Sequence, residues 1–264
     1  MTHPLLTTAF AAAEAAAAIQ RRWAGRIGVR EASLKGANDY VSAADLEAQA
    51  AALEVIRSHH PWHRIMAEEA TGPIPPANGD DPVWVVDPID GTTNFLHGHP
   101  MHAASVAVVV SGEAEAGVVI APATGERWWA TRGGGAFKNG QRLRVSEPPG
   151  LETALVGTGF PFKVLNQLDR YLGQLERVVR ASAGVRRCGA AALDLAYLSS
   201  GALDAFWELY LAPWDVMAGV LLIQEAGGVV TRIDGTPIDL VPGTVLGAAN
   251  AELAGELTAL LRRP

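Results

Sequence analysis

The chain has 264 residues, of which 49% are hydrophobic and 19% charged, so it is long enough for one large domain or two closely packed ones with a substantial core. This near-average composition excludes a disordered, collagen-like or disulfide-scaffold protein. The excess of 28 acidic over 21 basic residues gives a net charge of −7, which excludes a general attraction for nucleic acid or anionic membranes. The single cysteine, Cys188, cannot form an internal disulfide, and we therefore expect a cytoplasmic protein.

The chain begins with two predicted helices. Apolar residues at steps of three and four predict a helix over residues 4–25, and Glu14 interrupts its apolar stretch, so we expect neither a signal peptide nor a membrane span there. A second helix follows a polar stretch, and we expect Leu46, Ala50 and Leu53 on its buried face.

Strands follow these helices. Residues 64–66 predict a short strand that leads into Glu68, and the unbroken apolar run at residues 83–86 is typical of a buried strand. Turn-like residues then separate a series of predicted hairpin strands. These strands lie at residues 104–110, 116–121 and 127–131.

The second half alternates between helical and extended patterns. Helices are predicted at residues 165–179, 190–198, 214–226 and 251–261, and strands at residues 185–187, 204–207 and 245–249. An antiparallel half followed by an alternating half predicts an α+β architecture in which helices sandwich two sheets. We expect an N-terminal half at residues 1–145 and a C-terminal half at residues 146–264, folded as one compact unit.

Acidic residues occur at four places where a predicted strand ends or a predicted helix begins. They are Glu68, the pair Asp87 and Asp90, Asp215, and Asp45. Each has an ordinary explanation when it is taken alone: a helix cap, a solvated turn, or an acid that complements a helix dipole by about 0.3–1 kcal/mol.

The combination of these acids points to a metal site. Hard divalent ions prefer carboxylate and carbonyl oxygens, and Mg²⁺ takes one or two carboxylates per ion together with substrate phosphate. Glu68, Asp87, Asp90 and Asp215, with the carbonyl of Ile89, would hold about two or three such ions. A zinc site is not expected, because no histidine or cysteine ligands are needed.

Two long motifs and the segments between them resemble a known family. Residues 87–95 read Asp-Pro-Ile-Asp-Gly-Thr-Thr-Asn-Phe, which resembles the first signature of the inositol monophosphatase family, and residues 214–219 with 225–228 resemble the second. The similarity extends through residues 35–45, 133–140 and 186–208. The resemblance implies a layered αβαβα sandwich of the type shared with fructose-1,6-bisphosphatase. It also implies a Mg²⁺-dependent, lithium-sensitive phosphomonoesterase that forms a homodimer.

The resemblance also implies roles for individual residues. Glu68, Asp87, Asp90 and Asp215 match the family's metal-binding carboxylates, and Ile89 matches its carbonyl ligand.

Further matches concern the attacking water and the substrate. Asp45 and Thr92 match the pair that orients and activates the water, and Glu208 matches an acid that contacts substrate hydroxyl groups. The backbone that lines the alcohol site matches Gly189, Ala190 and Ala191. If they open a helix, the amides of Gly91 and Thr92 would hold a phosphate oxygen.

The predicted activity is hydrolysis of inositol monophosphate or a similar small polyol phosphate by attack of a metal-activated water. The alternatives within the same chemistry are a histidinol phosphatase or another sugar or nucleotide phosphatase. Residues 92–95 favour the inositol branch over the adenosine-phosphate branch. An alternative of a different class is a protein-interaction factor in transcription or RNA processing, since some bacterial relatives have that role. We expect no direct contact with nucleic acid.

Three histidines follow the first motif. His97, His99 and His102 do not have the spacing of a structural zinc site, and we expect them in a solvated or substrate-gating loop.

Overall fold

The computed structural model describes residues 3–36, 39–70 and 81–263. All the predicted helices are present, with boundaries that differ by a few residues, and a short helix at Thr92–Leu96 is found in addition. The helices are α1 (Pro4–Trp23), α2 (Ala43–His59), α3 (Thr92–Leu96), α4 (Leu168–Ala181), α5 (Ala191–Ser199), α6 (Pro213–Glu225) and α7 (Ala251–Leu261).

The earlier strands of the chain form a short ribbon and a large sheet. The ribbon pairs β1 (Ser33–Gly36) with β2 (Asp39–Val41). The large sheet has seven strands in chain order, and only its first pair is parallel. Its strands are β3 (Arg64–Ala67), β4 (Val83–Asp90), β5 (Ala103–Val110), β6 (Glu113–Ala121), β7 (Glu126–Thr131), β8 (Gly135–Lys138) and β9 (Gln141–Arg142). The predicted hairpin strands are confirmed as β5, β6 and β7.

The later strands of the chain form a second sheet of five strands, in the order β11-β10-β12-β14-β13. β10 is parallel to both of its neighbours, and β14 is antiparallel to both of its own. The strands are β10 (Leu155–Thr158), β11 (Gly184–Arg186), β12 (Ala205–Leu211), β13 (Val229–Thr231) and β14 (Gly243–Ala248). The sequence patterns did not predict β10 or β13, which are too short to show a clear alternation.

The helices and the two large sheets form five layers, which pack together through three hydrophobic clusters. α1 and α2 cover one face of the seven-stranded sheet, α5 and α6 fill the space between the two sheets, and α4 and α7 cover the outer face of the five-stranded sheet. This αβαβα order confirms the predicted α+β sandwich. The division into halves at residues 1–145 and 146–264 stays a prediction.

The packing of α1 against α2 contradicts one prediction. Leu53 is buried as predicted, but Leu46 and Ala50 are exposed, and the rest of the buried face of α2 carries Ala44, Ala48 and Ala52. These alanines recur every four residues and face a similar alanine series on α1. The prediction was wrong for Leu46 and Ala50 because small side chains that allow close approach of two helices decide which side is buried.

Candidate metal centre

The last part of β4 carries two acidic side chains, at the point where its pairing with β5 becomes irregular. The register between β4 and β5 is regular up to Asp87 and shifts before Asp90. The backbone N–H of Ile89 donates to the Asp87 carboxylate at 3.0 Å, which holds that side chain against the end of its own strand. Gly91 then takes a left-handed conformation with φ of 86°, and a Cβ there would lie 2.9 Å from the carbonyl oxygen of Met101. Only glycine fits this turn.

Helices from the second half bring a third carboxylate and a backbone donor to this turn. Asp215 lies in the first turn of α6, where its Oδ2 accepts from the N–H of Ala212 at 2.6 Å. The N–H of Ala192, at the start of α5, donates to Asp90 Oδ2 at 2.7 Å. Oxygen atoms of Asp87, Asp90 and Asp215 lie within 4.8 Å of one another.

The surroundings of the three carboxylates disfavour their charged form. Burial is the largest cause that raises the pKa of Asp87, and repulsion from Glu68, Asp90 and Asp215 raises it further. Burial and the charge of Glu68 raise the pKa of Asp215 to about 7, although Lys163 opposes the shift. A divalent cation bound by these oxygens would offset both the burial and the repulsion, so the donor set fits Mg²⁺.

Two lysines stand beside the fourth acid. Glu68 follows directly after β3, and its Oε1 lies 3.1 Å from Lys35 Nζ and 3.5 Å from Lys163 Nζ. Lys35 Nζ also donates to Glu69 at 2.6 Å. Burial alone would lower the pKa of Lys163, but the attraction of Glu68 and the other nearby acids raises it, so the ammonium stays charged.

A chain of hydrogen bonds joins the start of α2 to the turn. Thr92 Oγ1 lies 2.9 Å from Asp45 Oδ1 and 3.1 Å from the carbonyl oxygen of Ile89, and it can donate to either. Asp45 Oδ2 accepts from the N–H of Ser42 at 2.8 Å and from its hydroxyl at 2.6 Å. Burial raises the pKa of Asp45, and the hydrogen bonds from Ser42 and Thr92 counteract it.

The predicted substrate contacts lie on the other side of the turn. Gly189 has φ of +89°, and its carbonyl oxygen and the Cβ of Ala190 each lie 3.2 Å from the position that a Cβ on Gly91 would take. Asn94 Nδ2 ties the two segments together by donating to the carbonyl of Cys188 at 2.9 Å. Glu208 lies on β12, and burial together with repulsion from Asp215 raises its pKa.

Comparison with known proteins decides the family. A model of the inositol monophosphatase family matches residues 1–263. The chain belongs to the inositol monophosphatase family. The predicted resemblance is therefore confirmed.

Relatives in this family carry two kinds of name. The chain is 44% identical over 245 residues to the Nus factor SuhB of Pseudomonas aeruginosa, covering 92% of this chain and 90% of the relative. It is 43% identical over 242 residues to the inositol-1-monophosphatase of Rhizobium meliloti, covering 91% and 89%. The crystal structure of the extragenic suppressor protein suhB from Bartonella henselae matches with a TM-score of 0.91 and 36% identity, covering 99% of each chain.

Membership of the inositol monophosphatase family agrees with the metal centre. The family is Mg²⁺-dependent, and the Asp87, Asp90 and Asp215 carboxylates converge in the manner that a hard cation needs. None of the helices in the described parts of the chain combines the length and apolarity needed to cross a membrane.

The structure also shows residues that the sequence analysis missed or misplaced. Lys163 was not predicted to lie near the acids, because it is far from them along the chain and stands in a loop without a motif. His97 and His99 are exposed, but the prediction of a solvated position was wrong for His102, which is buried with 5% exposure. The burial of His102 could have been predicted from its position directly before β5, because that strand is buried along most of its length.

Proposed function

We propose that this protein is a Mg²⁺-dependent phosphomonoesterase that hydrolyses inositol monophosphate or a similar small polyol phosphate. The observation that carries the proposal is the convergence of Asp87, Asp90 and Asp215 next to the hydrogen-bonded pair Thr92 and Asp45. A carboxylate cluster beside a polarised hydroxyl provides both a metal site and a proton acceptor for a water nucleophile. A purely structural protein would gain nothing from three buried acids that repel one another.

The proposed metal ligands are Glu68, Asp87, Asp90 and Asp215 together with the carbonyl of Ile89. We propose about two or three ions there. When bound, Mg²⁺ supplies a Lewis acid that lowers the pKa of a water and offsets the negative charge of the phosphate ester.

Thr92 and Asp45 handle the proton in this proposal. Thr92 Oγ1 donates to Asp45, which leaves the lone pairs of the hydroxyl oxygen free to accept from a water. As the water oxygen forms its bond to phosphorus, its proton passes to Thr92 and the Thr92 proton passes to Asp45. The raised pKa of Asp45 suits it to receive that proton. The bond between phosphorus and the ester oxygen breaks, and the departing alcohol oxygen takes a proton from solvent, so no phosphoenzyme forms.

The remaining proposed contacts bind the substrate. The amides of Gly91 and Thr92 hold a phosphate oxygen, and Gly189, Ala190, Ala191 and Glu208 line the alcohol. A carboxylate such as Glu208 accepts hydrogen bonds from polyol hydroxyl groups. Ala190 offers no side-chain hydroxyl, so a histidinol, sugar or nucleotide phosphate stays an alternative substrate class.

A second candidate function has its own support. A relative that is 44% identical is named a Nus factor, so a role as a partner in transcription or RNA processing on the same fold is the alternative proposal. The net charge of −7 favours a protein partner over direct contact with nucleic acid in that role. The homodimer, lithium sensitivity and cytoplasmic location stay predictions.

Phosphate release from a panel of esters tests the proposal. The purified protein should release phosphate from inositol monophosphate or another small polyol phosphate with Mg²⁺, and lose the activity with chelator or Li⁺. Asp215→Asn should reduce turnover by about 100-fold or more and abolish the rise of the thermal midpoint caused by Mg²⁺. Glu54→Gln, which changes an exposed acid on α2, is the matched control and should behave like the wild type. Equal turnover in wild type and Asp215→Asn would reject the metal assignment, and no hydrolysis of any ester would favour the partner role.

A further inference from the structure

A buried glutamine connects α1 to the turn of Asp87, Ile89 and Asp90, which is the metal-binding turn of the proposed function. Gln20 lies in the last turn of α1, has 0% exposure, and its Nε2 donates to the carbonyl oxygen of Pro88 at 2.7 Å. Its Oε1 lies 2.7 Å from Nδ1 of the buried His102. Pro88 stands between Asp87 and Ile89, in the segment where the β4–β5 register shifts.

The chemistry of Pro88 sets the orientation of the whole chain of hydrogen bonds. A backbone carbonyl only accepts, so the amide nitrogen of Gln20 must face Pro88 and the amide oxygen must face His102. His102 therefore donates from Nδ1, and the neutral ring is the tautomer with its proton on Nδ1. Burial, followed by repulsion from His99, lowers the pKa of His102 to about 4, which keeps the ring neutral near pH 7. Phe95 packs its ring against the imidazole at 5.1 Å and an angle of 73°.

The position of the Pro88 carbonyl matters because of its neighbours. Asp87 and Asp90 lie one residue before and two residues after Pro88, and the carbonyl of Ile89 lies one peptide further on. Where the β4–β5 register shifts, Gln20 supplies the Pro88 carbonyl with a donor that comes from α1 instead of from the sheet. The hydrogen bond thereby restrains Pro88, the residue between the proposed ligands Asp87 and Ile89.

We propose that Gln20 and His102 are positioning residues that hold the turn of Asp87, Ile89 and Asp90 in the geometry needed for divalent-cation binding. His102 acts through Gln20, since its Nδ1 proton holds the Gln20 amide with its nitrogen toward Pro88. The inference rests on the metal role proposed for that turn and adds to it Gln20 from α1 and His102, which lies directly before β5.

Gln20→Met is the first test, because methionine has a similar volume and cannot donate to Pro88. Calorimetry with Mg²⁺ alone should show binding that is weaker by about 10- to 100-fold, the usual effect of removing a group that orients metal ligands. Turnover should recover in part at high Mg²⁺ concentration. The matched control is Gln174→Met, since Gln174 also has 0% exposure and its Nε2 donates to a backbone carbonyl, that of Leu261, at 2.9 Å. This control should lose comparable thermal stability and keep the wild-type affinity for Mg²⁺.

Variants of His102 provide a second and independent test. His102→Phe removes the donor and should weaken Mg²⁺ binding, whereas His102→Asn, whose amide N–H lies near the position of Nδ1, should restore it. In ¹⁵N-labelled wild-type protein the His102 ring should give the NMR signature of the tautomer protonated on Nδ1.

Several results would overturn the positioning role. They are an equal affinity for Mg²⁺ in Gln20→Met and Gln174→Met, an equal affinity in His102→Phe and the wild type, a wild-type tautomer protonated on Nε2, and a wild type that binds no divalent cation. If Gln20→Met weakens Mg²⁺ binding while the wild type hydrolyses no phosphate ester, the positioning role stands and only the proposed reaction is rejected.

Discussion

Asp45 shows how one side chain serves a local and a distant purpose. One of its carboxylate oxygens completes the cap of α2 with Ser42, as the local sequence pattern predicts for an acid in the first helical turn. The other oxygen accepts from Thr92, 47 residues further along the chain. Because the cap holds Asp45 in one orientation, the acceptor for the Thr92 hydroxyl is in place before any substrate binds.

Thr92→Ala tests this arrangement. The variant should bind Mg²⁺ with the wild-type affinity, because the substitution leaves all the proposed carboxylate ligands in place. Single-turnover phosphate release should slow by about 100-fold, the range expected when a positioned proton acceptor loses its relay. Thr93→Ala is the control, since Thr93 is exposed on the same short helix. An unchanged rate in Thr92→Ala would remove Thr92 from the proposed reaction.

At the scale of elements, the pair α1 and α2 depends on small side chains. Alanines at four-residue spacing on both helices are buried, and the last turn of α1 carries Gln20, which reaches Pro88 in the proposed metal-binding turn. Close packing of α1 therefore places Gln20 as well as filling the core. A helix held further away by larger side chains would not bring Gln20 within 2.7 Å of Pro88.

Ala48→Leu should destabilise the fold through this packing. Ala48 has 0% exposure and faces α1, so a larger side chain forces the helices apart and should lower the free energy of unfolding by about 1–3 kcal/mol. Ala50→Leu changes an exposed position on the same helix and should leave stability within about 0.5 kcal/mol of the wild type. Urea unfolding monitored by circular dichroism measures both. Equal stability of the two variants would contradict the close packing of α1 against α2.

At the scale of the whole molecule, the layers bring distant segments to one point. β4 supplies Asp87 and Asp90 from one sheet, and the middle layer of helices supplies Asp215 and the N–H of Ala192. The cost of this assembly is a set of ionisable groups held in environments that disfavour their charge. Such groups make the stability of the molecule depend on pH.

The lowered pKa of His102 predicts one part of that pH dependence. Burial, aided by repulsion from His99, lowers its pKa from 6.5 to about 4 in the folded state, so between these values the unfolded chain binds the additional proton. The stability linked to neutral His102 is therefore complete above pH 6.5 and is lost as the pH falls toward 4.

In chelator, the free energy of unfolding should fall by about 2 kcal/mol more in the wild type than in His102→Asn when the pH is lowered from 7.5 to 5. Urea unfolding at both pH values measures the difference. Parallel curves for the two proteins would show that His102 is not desolvated.

The amino-acid sequence by itself indicated the family, the α+β sandwich and the acids Asp87, Asp90 and Asp215 that the fold brings together. These follow from motifs and periodicities, which are local properties that a chain displays before it folds. Only the tertiary structure decided which face of α2 is buried, that Lys163 joins Glu68, and that His102 reaches the turn through Gln20. Gln20 contacts Pro88, which lies 68 positions further along the chain, and His102, which lies 82 positions further along. The geometry of both contacts depends on how closely α1 packs against its neighbours. No spacing along the chain encodes such a distance, because it results from the packing of many side chains at once.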